Sequence, residues 1–265
     1  MLFRVLLVSL FASAVANAEP PTDFDSAKDD AVELWWEIGP ASFYCQCPYR
    51  LATDAEKQIR SGNLWIVGSV CGYQAKELLY SSGRPNARST RIDWEHIVPA
   101  EWIATGFGCQ EGSRSDCRAI EGFEEAEGDL YNLVPAIGEL NGDRSARLFG
   151  LIEGESRAYG ACDFEVDDTG PGETHTRGMA EPMESIRGDV ARVWFYMIDR
   201  YGLQVPRENR TLLEAWAEAD PVDRAELRRA SIIEAEMGWA NYALPKEELD
   251  ETVIRFARRL GHIDN

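Results

Sequence analysis

Arg91-Ile92-Asp93-Trp94-Glu95-His96-Ile97-Val98-Pro99-Ala100 sets a histidine directly behind a carboxylate, in a run of apolar residues that ends at a proline. The alternation reads as a β-strand. Ile92, Trp94 and His96 share one face, Asp93, Glu95 and Ile97 share the other, and Pro99 ends any ladder because it has no N–H to donate. Glu95 and His96 therefore diverge unless the strand ends or twists between them. Taken alone, an adjacent Glu-His pair is weak evidence of chemistry, since a buried histidine with its ring satisfied looks the same.

Upstream, Ser81-Ser82-Gly83-Arg84-Pro85 reads as a turn. Between Leu79 and Ile92 stand Arg84, Arg88 and Arg91 with no acidic residue, which is either a basic lip or three ordinary solvated arginines. Downstream, Thr105 to Gly128 gathers Glu121, Glu124, Glu125 and Glu127, with Asp129 next, a run expected to be a solvated face. In the following Asp129-to-Ser145 stretch, Pro135 suits the first turn of a short helix and Gly142 its C-terminal cap. That puts Asn132 at or just before the helix start.

The chain has 265 residues, 45% hydrophobic and 10% aromatic, enough to bury a sizeable core in one domain. Arg4, the apolar run Val5 to Val15 and the small-x-small triplet Ala16-Asn17-Ala18 predict a signal peptide over residues 1–18. Later stretches fall short of the roughly eighteen continuous apolar residues of a membrane span, so a soluble product in the periplasm or outside the cell is expected. Six cysteines, all beyond residue 18, agree with export and make three disulfides the default. A zinc site competes, but Cys45-Gln46-Cys47 has the wrong spacing and no second CxxC follows. Only Cys109 with Cys117 is a natural pair from spacing.

The net charge of -19 becomes -20 once Arg4 leaves with the signal peptide, and such a body repels polyanions at long range. Ser26 is a plausible N-cap for a helix through Glu37, with Ala31, Leu34, Trp35 and Ile38 on one side and Gly39-Pro40 as the stop. Ile186, Val190, Val193, Trp194, Met197, Ile198 and Tyr201 recur at helical spacing and are read as core. Further helices are expected around Thr211 to Ala219, Val222 to Met237 and Lys246 to Leu260.

Five blocks then stand in order: Phe43-Tyr44-Cys45-x-Cys47, Ser69-x-Cys71-Gly72-Tyr73-Gln74, Trp94-Glu95-His96-Ile97-Val98-Pro99-Ala100, Asp129-Leu130-Tyr131-Asn132-Leu133-x-Pro135, and Gly138-Glu139-x-Asn141-Gly142-Asp143-Arg144. Together they closely resemble the bacterial endonuclease I family of periplasmic and secreted DNA/RNA nucleases, with spacing matched from about Ser26 to Tyr242. The resemblance implies an α+β fold, in which a ββα-metal (His-Me finger) core packs with several α-helices and few strands. It implies a nuclease domain over 19–245, with 246–265 as a C-terminal helical extension.

Position by position, the resemblance makes Glu95 and Asn132 ligands of one divalent ion, Mg2+ with Mn2+ as an alternative, and His96 the general base. Hard ions take oxygen donors and keep waters, which a carboxylate and an amide allow. An imidazole titrating near 6.5 can accept a proton at neutral pH. Arg114, in Gly112-x-Arg114-x-x-Cys117, matches the phosphate-binding arginine, with Arg118 as second choice. Arg84, Arg88 and Arg91 are candidates for nucleic-acid backbone. Asn141, Asp143 and Arg144 are read chiefly as helix-end residues that support the site. His175 and His262 carry little weight, and a multi-histidine zinc hydrolase is improbable.

The implied function is a non-specific, metal-dependent endonuclease acting on DNA and RNA through the backbone, as a monomer. A ribonuclease on the same site, or an inactive secreted binding protein of the same fold, are the alternatives.

Overall fold

Asp23 opens the first helix. Its carboxylate accepts the Ser26 amide at 2.8 Å while the Ser26 hydroxyl accepts the Asp23 amide at 3.2 Å, a reciprocal cap on α1 (Phe24–Ile38). Ser26, the expected cap, thus lies three residues inside the observed one, because the charged Asp23 carboxylate is the stronger acceptor. The shift makes Phe24 helical, and Phe24 reaches the site described below. The structure is a computed structural model that describes residues 20–57, 64–109, 114–154, 157–169, 176–241 and 244. The expected signal peptide, His175, His262 and the C-terminal extension lie outside the described residues.

After α1 come β1 (Tyr49–Leu51), a turn of helix α2 (Asp54–Lys57), β2 (Leu64–Ile66) antiparallel to β1, and α3 (Gly68–Cys71). The central unit follows. β3 (Ile92–His96) leads through three short helices, α4 (Ala100–Gly106), α5 (Arg114–Cys117) and α6 (Phe123–Glu127), to β4 (Leu133–Ile137) and then directly to α7 (Gly138–Arg144). β3 and β4 pair antiparallel, with Trp94 opposite Pro135 and His96 opposite Leu133.

Pro135 is therefore in a strand and not in the first turn of a helix. Hydrogen bonds from Gly138 N to the Arg91 carbonyl and from Ile97 N to the Asn132 carbonyl set the bonded pairs of the ladder. By alternation Pro135 falls at a non-bonded pair, where its missing N–H costs no ladder bond. Its carbonyl faces outward and accepts the Phe43 amide at 2.7 Å. Gly142 likewise lies inside α7, whose C-cap is Ser145.

The chain continues through β5 (Leu148–Phe149), β6 (Phe164–Asp167) and β7 (Met179–Pro182), which form a sheet ordered β5-β7-β6, parallel then antiparallel. α8 (Arg187–Tyr201), α9 (Arg207–Ala219) and α10 (Arg224–Met237) follow. α8 is the expected amphipathic helix, with Val190, Ala191, Val193, Trp194 and Met197 in the core. Its Arg192 is also buried and forks onto Glu226 of α10 at 2.7 and 2.6 Å, a charge that survives burial because both of its forks are paired. The result is an α+β fold. Disulfides join Cys45 to Cys162, Cys47 to Cys71 and, as the spacing anticipates, Cys109 to Cys117. Among the described residues no helix is long and apolar enough to cross a membrane.

The acidic run is not wholly a solvated face. Glu127 is 2% exposed and Asp129 0%. Asp129 accepts hydrogen bonds from the hydroxyls of Tyr196 and Tyr201 at 2.6 and 2.7 Å and from the Tyr131 amide at 2.9 Å. Burial pushes its carboxyl up to about 6 from the ordinary 3.8, against the pull of those three donors. The folded state holds this proton more tightly than the unfolded chain, so the contribution is fully present below the ordinary value and is lost as pH rises through about 6. The stability advantage of wild type over Asp129→Asn should shrink by about 1 kcal/mol between roughly pH 5 and pH 7.5. Urea midpoints at the two pH values measure it, and an advantage that stays constant or grows would contradict the assignment.

Candidate active site

The last two residues of β3 project to opposite faces, and each is held by a different part of the chain. Glu95 is 4% exposed. Its Oε1 accepts the Tyr44 hydroxyl at 3.1 Å and an Arg144 guanidinium N–H at 2.8 Å. Burial raises the Glu95 carboxyl above the ordinary range, and Arg144 and Tyr44 oppose that rise. Tyr44 is placed by its neighbour Cys45, bridged to Cys162, and by a ring contact with Phe164 at 4.6 Å.

Arg144, the last residue of α7, is fully buried. Beyond Glu95 it donates to the His96 carbonyl and to the Ile97 carbonyl, both at 2.6 Å, and its guanidinium lies over Phe149, 4.5 Å from the ring centre. One side chain therefore fixes both the carboxylate and the backbone where the strand ends. The support role expected of Arg144 has this physical content.

His96 faces the other way. Its Nε2 stands 2.8 Å from the Glu127 carbonyl and its ring 4.7 Å from that of Phe24. A carbonyl can only accept, so Nε2 carries the proton and the neutral ring has its lone pair on Nδ1. That is the tautomer a base needs.

Asn132 does not sit as a metal ligand should. It is fully buried, its Oδ1 accepts the Val98 amide at 2.7 Å, and its Nδ2 donates to the Val98 carbonyl at 3.0 Å. Both ends of the amide are spent on bracing the turn after β3. Asn141, expected only in support, is half-buried on α7, with Nδ2 a long 3.4 Å from the Trp94 carbonyl, one residue from Glu95. Asp143 points elsewhere, accepting the Tyr159 hydroxyl at 2.5 Å and facing Lys76 at 3.4 Å.

The arginines before β3 are partly neutralised. Arg91 pairs with Asp93 at 2.6 Å and Arg88 with the same carboxylate at 3.3 Å, while Arg84 reaches Ser82 at 3.3 Å. Arg88 also lies against Gly142, where a Cβ would stand 2.7 Å from its guanidinium, so only glycine lets it approach α7 this closely. Arg114 begins the turn closed by Cys109–Cys117; its side chain lies outside the described residues. Arg118 is exposed.

Three groups escape sequence reasoning. Tyr44 is visible there only as part of a cysteine block, Phe24 is helical only through the Asp23 cap, and the Glu127 carbonyl is a backbone atom with no side-chain signature. Glu139 is a fourth supporting group. Its carboxylate accepts the Tyr73 hydroxyl at 2.6 Å and the amides of Lys76 and Glu77 at 3.0 and 2.8 Å, tying the loop before β3 to α7.

Among the described residues no group of three or more His, Cys, Asp and Glu side chains is gathered as a metal cluster. The strand end instead presents one buried carboxylate, Glu95, and a histidine whose Nε2 faces the Glu127 carbonyl. Known proteins share this chain's pattern. The model of the family described as Endonuclease I matches residues 28–243. An extracellular deoxyribonuclease of Aeromonas hydrophila is 34% identical over 250 residues, covering 93% of this chain and 99% of that protein. A periplasmic deoxyribonuclease of the same species is 32% identical over 246 residues, 91% of this chain and 92% of its own. Endonuclease-1 of Buchnera aphidicola subsp. Acyrthosiphon pisum is 34% identical over 195 residues, 73% and 69% respectively. With the last three motif blocks centred on β3, β4 and α7, the family model matched over residues 28–243 and a relative matched over 93% of the chain, the chain belongs to the Endonuclease I family.

Proposed function

We propose that this protein is a periplasmic or secreted endonuclease that hydrolyses phosphodiester bonds of DNA and RNA with one divalent metal ion, Mg2+ or in its place Mn2+, and with His96 as general base. The observation that carries this reading is the disposition of Glu95: both its hydrogen bonds fall on Oε1, and Oε2 takes none from the described residues. A buried carboxylate with one oxygen uncommitted, with Asn141 on the same helix as its partner Arg144 and its Nδ2 only 3.4 Å from the carbonyl of the preceding Trp94, suits a hard cation that keeps most of its waters. Glu95 and Asn141 would hold the ion, and Asn132 would brace the turn.

When bound, such an ion supplies positive charge to the scissile phosphate and to the departing 3′ oxygen. The chain's residues do the rest. Arg144 opposes the upward push of burial on the Glu95 carboxyl and holds it in place. A phosphodiester lying across the end of β3 meets His96, whose Nδ1 lone pair takes the proton of the attacking water while Nε2–H stays on Glu127. Arg114 holds the non-bridging oxygens of the same phosphate, a task for a planar two-donor fork. Arg84, Arg88 and Arg91 hold flanking phosphates, which compete with Asp93 for the latter two. Backbone contact without base readout makes cleavage sequence-independent, and the same contacts serve DNA and RNA.

The two asparagines separate by experiment. Asn141→Ala should raise the magnesium concentration for half-maximal plasmid cleavage by about tenfold or more with little change in melting temperature. Asn132→Ala should chiefly lower stability, by about 2 kcal/mol, because it leaves both Val98 groups without their partner. The reverse pattern, an unaltered metal requirement in Asn141→Ala and a raised one in a well-folded Asn132→Ala, would return the ligand role to Asn132.

A further inference from the structure

The loop between Glu77 and Asn86 carries apolar side chains into solvent. Leu78 is 68% exposed, Leu79 57% and Tyr80 39%. Three apolar residues in succession on a protruding turn of a strongly acidic protein invite aggregation unless something covers them in use.

Slack does not explain the exposure, because the turn is built. Leu79 bridges to Pro85, Tyr80 N donates to the Arg84 carbonyl at 2.9 Å, Gly83 N to the Tyr80 carbonyl at 2.8 Å, and Asn86 N to the Leu78 carbonyl at 2.9 Å. Gly83, at φ +78°, supplies the left-handed residue that closes it. Its base is pinned as well. Asn86 Nδ2 donates to the Glu77 carbonyl at 2.9 Å, and the Lys76 and Glu77 amides sit on Glu139 of α7, the helix that carries Asn141.

The hairpin also faces α7, the helix that carries Asn141. A cleft of about 250 Å³ is lined by Tyr80, Asn86 and Arg88 on the hairpin side and by Glu139, Gly142 and Asp143 of α7. Arg84 in the turn and Arg88 just beyond it put two cations in the same segment as the apolar residues.

We propose that the Leu78-Leu79-Tyr80 hairpin is a base-contacting wedge, which inserts at a step of a duplex substrate and unstacks it while Arg84 and Arg88 hold the adjoining phosphates. The inference rests on the nuclease reading above and deepens it by naming how duplex is engaged. Exposed apolar side chains flanked by arginines are the chemistry that partly unstacked bases accept, apolar groups meeting base faces and guanidinium groups meeting phosphate. A protein partner would have no need of that flanking charge. The wedge adds nothing to the bond-breaking step, so single strands, whose bases are already accessible, should not depend on it.

The test compares wild type, Leu78→Ser/Leu79→Ser, Tyr80→Ala and, as a control, Leu151→Ser, which alters a comparably exposed leucine (57%) outside the hairpin. Substrates are one labelled oligonucleotide as a single strand and the same sequence as a duplex. Both hairpin variants should lose about tenfold in kcat/KM on the duplex, while single-strand cleavage and the control stay within about twofold. In parallel, a duplex carrying 2-aminopurine is titrated with each protein in chelator, where nothing is cut. Wild type should raise the fluorescence by unstacking the base, and the hairpin variants should not. Equal losses on both substrates, no loss on either, or the same fluorescence rise in wild type and variants would overturn the wedge. A folded wild type that cuts neither strand form would instead sink the nuclease reading, and the fluorescence titration would still decide the base contact.

Discussion

His96→Ala should cleave supercoiled plasmid roughly a thousandfold more slowly than wild type, the size of effect expected from removing a positioned general base, and should remain folded. The ring's contacts include a hydrogen bond to the Glu127 carbonyl and packing against Phe24, and its truncation should cost about 1–3 kcal/mol of stability. The fold should tolerate that loss. A ring that takes a proton and does not hold the substrate puts the rate loss in kcat, with KM little changed. Added imidazole should restore part of the rate. Initial rates at saturating magnesium measure the effect. A His96→Ala enzyme within about tenfold of wild type would show that some other group takes the proton.

Arg144→Met has the largest expected effect on stability, about 3–5 kcal/mol in urea unfolding. The guanidinium is wholly buried and makes three hydrogen bonds of 2.8 Å or shorter, to Glu95 and to the carbonyls of His96 and Ile97. Methionine fills the volume but leaves a buried carboxylate facing no cation. With Arg144 gone the main influence holding Glu95 down is gone, and the carboxyl, already raised by burial, should rise further. Cleavage should therefore fall with stability and recover partly as pH rises. Glu95→Gln/Arg144→Met should regain part of the lost stability, because it removes the unpaired charge, while staying inactive. An Arg144→Met protein within about 1 kcal/mol of wild type would mean that the buried pair contributes nothing net.

How far the sequence reaches can be seen at individual residues. The strand through Glu95 and His96, their divergence onto opposite faces, the long α8 and the Cys109–Cys117 bridge all follow from period-two or helical alternation and short-range spacing. What fails is what depends on register. Pro135 reads as a helix start because, without its partner strand, nothing shows that it faces a non-bonded pair. Asn132 reads as a ligand because an asparagine in the right block is the right chemistry; only the position of Val98 shows its amide to be used up. Glu127 and Asp129 read as solvated because acids in a run usually are, whereas three tyrosines at positions 131, 196 and 201 come together over Asp129. For Arg84, Arg88 and Arg91 the sequence leaves a basic lip and solvated arginines equally open, because it does not show Asp93, on the strand, turning back onto Arg88 and Arg91.

The most direct measurement is nicking of supercoiled plasmid by the mature, oxidised protein with magnesium and with excess chelator, at low salt and at roughly half-molar salt, where charge repulsion from the acidic body is largely screened. Conversion to open-circular and linear forms should require the metal and stop with chelator. Undiminished cleavage in chelator would remove the metal from the mechanism. A folded protein that leaves the plasmid intact under every condition would contradict a working site at Glu95 and His96.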